Sequence, residues 1–200
     1  MATNVNTREI ALRIIGEVDA GGAYANIALA RELGRQRLND QDRRFVTELV
    51  YGTTKAANTL DWILGHYSSR PLSRIPVIIR NILRIGAYQL FFLSKVPASA
   101  ACNQAVELAK KYGHAGTVKF VNAVLRSAAR NPEKAVYPDK EAFPAKYLAL
   151  KYFHPLWLVT RWIERLGFTE CEELCSINNQ TPPLSLRTNT LKVEREQLIK

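Results

Sequence analysis

Three cations lie in line along one predicted helix of this 200-residue chain. The helix covers residues 116–130, and Lys119, Arg126 and Arg130 lie opposite its apolar face. Such a row can neutralise consecutive phosphates of a nucleic-acid backbone. A merely solvated face is the alternative, since most charge rows are solvated. Asn122 lies at the margin of the row, where it could contact a base edge or a sugar, or could be a packing residue.

Four further arginines lie away from the apolar sides of earlier predicted helices. Arg8 and Arg13 are off the apolar stripe of the first helix, so both are expected to reach solvent, and Arg43 and Arg44 open the third helix, residues 39–55. Together with the four polar residues of the 116–130 helix, they form the predicted nucleic-acid contact set. The spacing leaves open whether these faces converge into one patch.

The charge of the chain is strongly basic and unevenly distributed. It has 28 Lys and Arg against 18 Asp and Glu, a formal net charge of +10. Residues 1–134 hold 19 basic and 10 acidic side chains, whereas residues 135–200 hold 9 and 8. A basic domain of this kind suits a polyanion, most often nucleic acid, although a basic soluble protein without such a partner has the same composition.

Three cysteines offer the main candidates for metal or redox chemistry. The odd count, and the lack of a signal-like apolar run after Met1, favour a reducing cytoplasm. Cys171 and Cys175 are one helical turn apart and could hold two metal ligands, but no His or second Cys pair stands nearby. We therefore predict that these two and Cys102 are packing residues, and we predict no metal site.

The stretch 77–93 is predicted to be the central helix of the fold. Its apolar residues cover more than half of the helical circumference, which indicates burial among other helices. Gly86 lies on the buried side, where a neighbouring helix can approach closely, and Gln89 is expected to be a buried, hydrogen-bonded amide. Arg80 and Arg84 interrupt the apolar run, so we do not predict a membrane span or a membrane partner.

The organisation predicted from the whole chain is all-α, with a change near the end. Residues 5–132 form a helical domain, and residues 133–180 form linker helices. The second helix of the domain is expected to end at Gly34. Residues 181–200 begin an incomplete α/β subdomain: residues 184–189 alternate as a strand does, and residues 194–200 start a helix.

Several long stretches of this sequence resemble one family from end to end. The matching stretches are DRRFVTELVYGTTK at 42–55, LRIGAYQLFFLSKVPASAACNQAVELAKKYG at 83–113, KFVNAVLR at 119–126, HPLWLVTRW at 154–162 and NNQTPPLSLRTNTLK at 178–192. The first three resemble the NusB-like all-helical RNA-binding fold, in the version found at the N-terminus of the RsmB/Sun 16S rRNA cytosine-5 methyltransferases. The last two resemble the linker helix and small α/β subdomain that follow in those enzymes.

The resemblance implies an RNA-binding portion that positions 16S rRNA for a methyltransferase domain absent from this chain. The parent enzyme would use S-adenosylmethionine, with one cysteine thiolate attacking C6 of cytosine and a second cysteine releasing the product. The family places these cysteines after Pro or Thr, whereas Cys102, Cys171 and Cys175 follow Ala, Glu and Leu. No glycine-rich loop follows a predicted strand either, so we assign no catalytic and no cofactor-binding residue, and whether this chain is itself an enzyme stays open.

Two other functions remain compatible with the sequence. A stand-alone transcription antitermination factor resembles the same fold and would need protein partners, although such a factor would normally end near Asn131. A protein-interaction adaptor, with basic faces that are only solvated, is the other alternative.

Overall fold

The computed structural model describes residues 6–198, in which ten α-helices and two short 3₁₀ turns carry the regular structure. No strand forms within this range. The helices are α1 Thr7–Gly21, α2 Ala25–Arg35, α3 Asp40–Lys55, α4 Ala57–Gly65, α5 Val77–Phe92, α6 Ala98–Tyr112, α7 Ala115–Arg130, α8 Pro144–Lys151, α9 Leu156–Ile177 and α10 Arg195–Leu198. None of the helices in residues 6–198 has the length and apolar character needed to cross a bilayer.

Helix α5 is the centre of the fold, as its apolar circumference predicts. Nine consecutive residues, 81–89, are buried, and α5 packs against α1, α3, α4, α6 and α7. Gln89 donates from Nε2 to the carbonyl of Ile85 at 2.8 Å, so the buried amide is satisfied as expected. The all-α prediction is therefore confirmed for the region that α5 organises.

Two glycines let neighbouring helices approach α5 closely. A Cβ atom added to Gly86 would lie 2.6 Å from Cδ1 of Leu125 on α7, which confirms the close approach predicted there. A Cβ added to Gly52 of α3 would lie 2.0 Å from the ring of Tyr88. Since real Cβ contacts are not this short, the helix crossings depend on the missing side chains.

Helices α8 and α9 form a second, smaller apolar cluster that contacts the first through α4. Thr59 Oγ1 donates to the carbonyl of Leu150 at 2.6 Å, and Trp62 Nε1 donates to the carbonyl of Val136 at 3.0 Å. Within α9 the backbone breaks at Gly167, where φ is 77° and ψ is 176°. Because residues other than glycine rarely adopt these backbone angles, Gly167 sets the position of the kink.

One boundary predicted from sequence is wrong, and one predicted strand has no partner in the described residues. Helix α2 continues through Gly34 to Arg35, and Gln36 beyond it donates to the side chain of Glu32 at 3.1 Å. The strand predicted at 184–189 does not form, because a strand needs a partner and no described segment pairs with it. The helix predicted at 194–200 begins as α10, and its last two residues lie outside the described range, as does residue 5 at the start of the predicted helical domain.

Candidate nucleic-acid interface

Helix α7 presents one apolar face to the core and one basic face outward. Its start is capped by His114, whose Nδ1 accepts from the backbone N–H of Gly116 at 3.2 Å. Val121, Val124 and Leu125 are buried against α5 and α6. This packing fixes the rotation of α7 about its axis, and therefore fixes which side chains reach solvent.

The outward face of α7 carries cations without acidic partners. Lys119, Arg126 and Arg130 are exposed, and none of them forms an ion pair within residues 6–198. Arg126 Nε donates to Asn122 Oδ1 at 2.8 Å, and Arg130 Nε donates to the carbonyl of Arg126 at 3.3 Å. Asn122 is half-buried, and its side-chain oxygen orients Arg126.

A cleft of about 240 Å³ lies where the end of α7 meets the start of α6. Arg126, Arg130, Ser99 and Asn103 contribute polar groups to its lining. Helix α6 starts after Pro97, and no side chain caps the backbone N–H groups of its first turn. A helix N-terminus beside two guanidinium groups favours a phosphate oxygen.

The arginines of α1 are more engaged than the sequence predicts. Arg8 is half-buried: its Nε donates to Gln89 Oε1 at 2.8 Å, and its guanidinium carbon lies 5.0 Å from the ring centroid of Phe45. Burial lowers the pKa of Arg8. Arg8 therefore reaches solvent only in part, because its planar group stacks on Phe45 in the interface between α1 and α3. Arg13 is exposed and pairs with Glu9 at 3.2 Å.

The arginines of α3 differ from one another. Arg43 Nη1 donates to the carbonyl of Leu33 at 3.0 Å, which ties α3 to α2. Arg44 is exposed and forms no ion pair within the described residues. Helices α1 and α3 pack on each other and on α5, whereas α7 packs on α5 and α6. The eight predicted residues therefore fall into two groups on different helices.

Sequence reasoning missed three polar residues that the fold places beside the first turns of α7. Arg70, Arg74 and His114 line a second cleft, of about 260 Å³. Arg70 and Arg74 belong to the connection between α4 and α5: Arg70 precedes Pro71, which caps the 3₁₀ turn Leu72–Arg74, and Arg74 is the last residue of that turn. The two arginines near Pro71 could have been noticed in the sequence as candidate phosphate contacts, but their spacing does not indicate which helix they approach.

The three cysteines are buried and free, in agreement with the predicted packing role. Burial raises the pKa of Cys102, although the charge of Arg126 opposes the rise. Burial raises the pKa of Cys171 as well, and burial together with the neighbouring Cys171 raises the pKa of Cys175 to about 12. These thiols are protonated at neutral pH, and a nucleophilic cysteine requires the thiolate.

Residues 6–198 contain no strand followed by a glycine-rich turn, which is the usual way in which a backbone approaches a nucleotide-like cofactor such as S-adenosylmethionine. The same part of the chain holds no cluster of three or more His, Cys, Asp or Glu side chains placed to bind a metal ion.

Solved structures share this fold. A complex of the antitermination factors NusB and NusE with double-stranded RNA contains a chain that aligns with a TM-score of 0.57 and 23% identity, over 62% of this chain and 93% of that one. The structure of PH0851 aligns with a TM-score of 0.64 and 20% identity, over 98% of this chain and 44% of that one. At these identities the likeness shows the fold alone.

Curated relatives are similar in sequence as well. A probable ribosomal RNA small subunit methyltransferase B from Bacillus subtilis is 37% identical over 194 residues, which are 97% of this chain and 43% of that protein. The chain thus spans less than half the length of this relative. Residues 154–200 match the RsmF/B-like methyltransferase ferredoxin-like domain. Residues 5–130 match the NusB family, which confirms the resemblance drawn from the sequence motifs, and the chain belongs to that family.

Proposed function

We propose that the helical region formed by α1–α7 binds RNA and positions 16S rRNA for cytosine-5 methylation by a catalytic domain outside this sequence. The observation that carries the proposal is the outward face of α7, where Lys119, Arg126 and Arg130 have no acidic partner within residues 6–198. The named activity of the Bacillus subtilis relative and the RNA in the solved NusB–NusE complex support the same proposal.

The proposed division of the chain is a helical RNA-binding domain at 5–132, linker helices at 133–180, and the start of an α/β subdomain at 181–200. The match of residues 154–200 to the ferredoxin-like domain supports a continuing methyltransferase over a stand-alone antitermination factor. The parent enzyme would take its methyl group from S-adenosylmethionine. In this proposal the described residues hold and orient RNA, and none of them carries the methyl-transfer chemistry.

The proposed RNA contacts are graded by how free each cation is. Lys119, Arg126 and Arg130 make the main phosphate contacts, and Asn122 holds Arg126 in place. Lys119 and Arg130 are eleven residues apart, roughly 16 Å along the helix axis, which is long enough to follow several phosphates. Arg44, together with Arg13 and Arg43 after local rearrangement, extends the contact from the other group, and Arg8 supports them through packing.

The test is the salt dependence of RNA affinity. Fluorescence anisotropy with a labelled fragment of 16S rRNA is measured between low and moderate salt for the native chain and for the triple variant Lys119→Ala, Arg126→Ala, Arg130→Ala. Each phosphate contact contributes about 0.7 to 0.9 to the slope of log K against log salt. Removing three contacts should therefore reduce the magnitude of this negative slope by about 2.

A matched control removes the same amount of charge elsewhere. Lys55, Lys95 and Lys140 are exposed and lie on other parts of the fold. Their triple Ala variant keeps most of the slope if α7 makes the contacts. Equal losses in both variants would mean that net charge alone attracts RNA, and the proposed face would be wrong.

Two further measurements separate this proposal from its alternatives. Transfer of a labelled methyl group from S-adenosylmethionine to 16S rRNA by the purified chain would contradict the assignment of catalysis to another domain. A specific complex with a protein of the NusE type, formed without any preference for 16S rRNA, would favour the antitermination or adaptor function instead.

A further inference from the structure

Side chains of α4 and of the turn after it donate hydrogen bonds to the backbone of the segment that follows α7. Tyr67, two residues past the end of α4, donates from Oη to the carbonyl of Asn131 at 2.8 Å. Trp62 Nε1 donates to the carbonyl of Val136 at 3.0 Å, while the side chain of Val136 is 64% exposed. Because both bonds go to main-chain carbonyls, they fix the path of the segment 131–136 independently of its side chains.

Helix α8 is held against α4 at two further points. The Nζ atom of Lys146 lies 4.2 Å from the ring centroid of Trp62, so one indole contacts both the preceding segment and the helix. Near the other end of α8, the fully buried Thr59 donates from Oγ1 to the carbonyl of Leu150 at 2.6 Å. Contacts near both ends fix the direction of α8, which one contact would leave free.

The connection between α8 and α9 is anchored in the main core by a strained residue. Within residues 6–198, Phe153 is the only residue other than glycine with a positive φ, which is 61°. Its ring packs edge-on against Phe92 at the end of α5, with the ring centroids 5.3 Å apart. Such strain persists only where the surrounding structure holds the residue, as the contact with Phe92 does here.

Helix α9 returns to this connection after its kink at Gly167. Asn179, beyond the end of α9, donates from Nδ2 to the carbonyl of Tyr152 at 2.9 Å. The ion pair between Lys151 and Glu172, at 3.0 Å, also joins the end of α8 to the second half of α9. Helices α8 and α9 therefore form one unit, and the chain leaves this unit close to its anchor in the helical bundle.

We propose that Trp62 and Phe153 are positioning residues, which set the orientation of the catalytic domain relative to RNA bound on α7. The inference rests on the proposed function. The anchored segment begins immediately after Arg130 of the cation row, and the anchored unit leads into the stretch that matches the ferredoxin-like domain. A flexible linker would let the RNA and the catalytic domain move independently. A fixed one holds the target base in place, where a misplacement of about 1 Å can cost roughly a hundredfold in rate.

Spin labels on α7 and α9 measure this orientation in the purified chain. Ala123→Cys and Glu164→Cys place them at exposed positions, whereas the three native cysteines are buried. The unperturbed chain is expected to give one narrow distribution of label distances by double electron–electron resonance. Phe153→Gly removes the ring and accepts the positive φ, and Trp62→Phe removes the N–H and keeps a ring. Each variant should broaden the distribution, and an unchanged width in both would contradict the proposed role.

Methyl transfer to 16S rRNA is then measured with the longer protein that carries the proposed catalytic domain. The double variant Trp62→Phe, Phe153→Gly is expected to lose roughly tenfold in kcat, with KM and RNA affinity unchanged within about twofold. A role confined to stability would lower the melting temperature without this split. The control variant Tyr51→Phe, Tyr24→Gly also removes one polar hydrogen and one ring, at side chains that are 44% and 74% exposed. It should change neither the kinetic constants nor the distance distribution.

The outcomes separate this inference from the function on which it rests. If the longer protein methylates 16S rRNA and the double variant keeps its kcat, the positioning role is wrong and the proposed function stands. The positioning role is also wrong if kcat and RNA affinity fall together, because the two residues would then act on the RNA-binding bundle itself. If the unmodified longer protein transfers no methyl group, the proposed function fails and the positioning role fails with it. Where the double variant does not fold, the two single variants decide.

Discussion

Arg84 places a charge inside the helical bundle, and its surroundings determine what each nearby substitution does to stability. Its side chain is 9% exposed, while those of Asp61 and Asp19 are 29% and 25% exposed. Arg84 Nε and Nη2 donate to the two oxygens of Asp61 at 2.7 and 2.6 Å, and Nη1 donates to Asp19 at 2.9 Å and to Asn81 at 3.1 Å. Burial lowers the pKa of Arg84, but these carboxylates outweigh it and raise that pKa overall.

The decisive comparison is between removing the buried charge and removing its partners. The double variant Asp19→Asn, Asp61→Asn leaves the guanidinium buried without a counter-charge, which costs about 3–5 kcal/mol. Arg84→Met removes the charge and keeps most of the stem. It leaves two carboxylates that water already reaches, so the cost is about 1–2 kcal/mol from the lost hydrogen bonds. The double variant should therefore be less stable than Arg84→Met by about 2 kcal/mol.

Urea unfolding followed by circular dichroism measures these differences, with equal m-values as the check that the unfolding transition is comparable. Glu107→Gln is the control, since it breaks a surface pair with Lys110 in which both side chains are 57% exposed. That change should cost less than about 1 kcal/mol. If Arg84→Met costs as much as the double variant, the network acts through packing, and the reasoning from an uncompensated buried charge is refuted.

Three further predictions follow from the structure. Gly52→Ala forces a Cβ into the ring of Tyr88 and should lower stability by about 1–3 kcal/mol. Gly16→Ala, whose added Cβ meets nothing within 4 Å, should raise stability by about 0.5–1 kcal/mol in the same urea unfolding assay. A hydrogen bond from Lys111 lowers the pKa of Glu9 in the folded protein. The stabilisation by the Glu9 carboxylate is therefore fully present above pH about 4.3 and is lost as pH falls through the lowered folded pKa. Glu9→Gln should make the melting temperature less dependent on pH across that range. Thr59→Val leaves the buried carbonyl of Leu150 without its donor and should cost about 1–3 kcal/mol, with faster amide exchange in α8 as the local readout.

The parts of the fold that local spacing determines could be predicted from the sequence. Helix α6 covers residues 98–112, where apolar and small residues recur at helical spacing between Pro97 and Gly113. Helix α5 is buried around its circumference for the reason its composition indicates. Burial of Gln89 was predictable too, since an amide on an apolar face must find an internal partner.

Partners brought together by the tertiary fold were not predictable. The helical spacing places Arg8 off the apolar stripe of α1. It does not reveal that Arg8 contacts Phe45 on α3 and Gln89 on α5. The alternation at 184–189 is a local pattern, but a strand depends on a second strand that the described chain does not supply. The α7 cation row of the candidate site was predicted from the sequence, whereas Arg70 and Arg74 were found only from the fold.

The contrast between α7 and the other charged helices bears on the alternative that its face is merely solvated. Two exposed cations on neighbouring helices have an acid one turn away: Arg13 pairs with Glu9 on α1, and Lys110 pairs with Glu107 on α6. Such pairs stabilise a helix and reduce its field. Helix α7 contains no Asp or Glu at all, and the single acid of α6 is already paired with its own lysine. Because the cations of this row have no local acidic partner, their positive potential can attract an external anion. We therefore favour a phosphate backbone as the partner of this face.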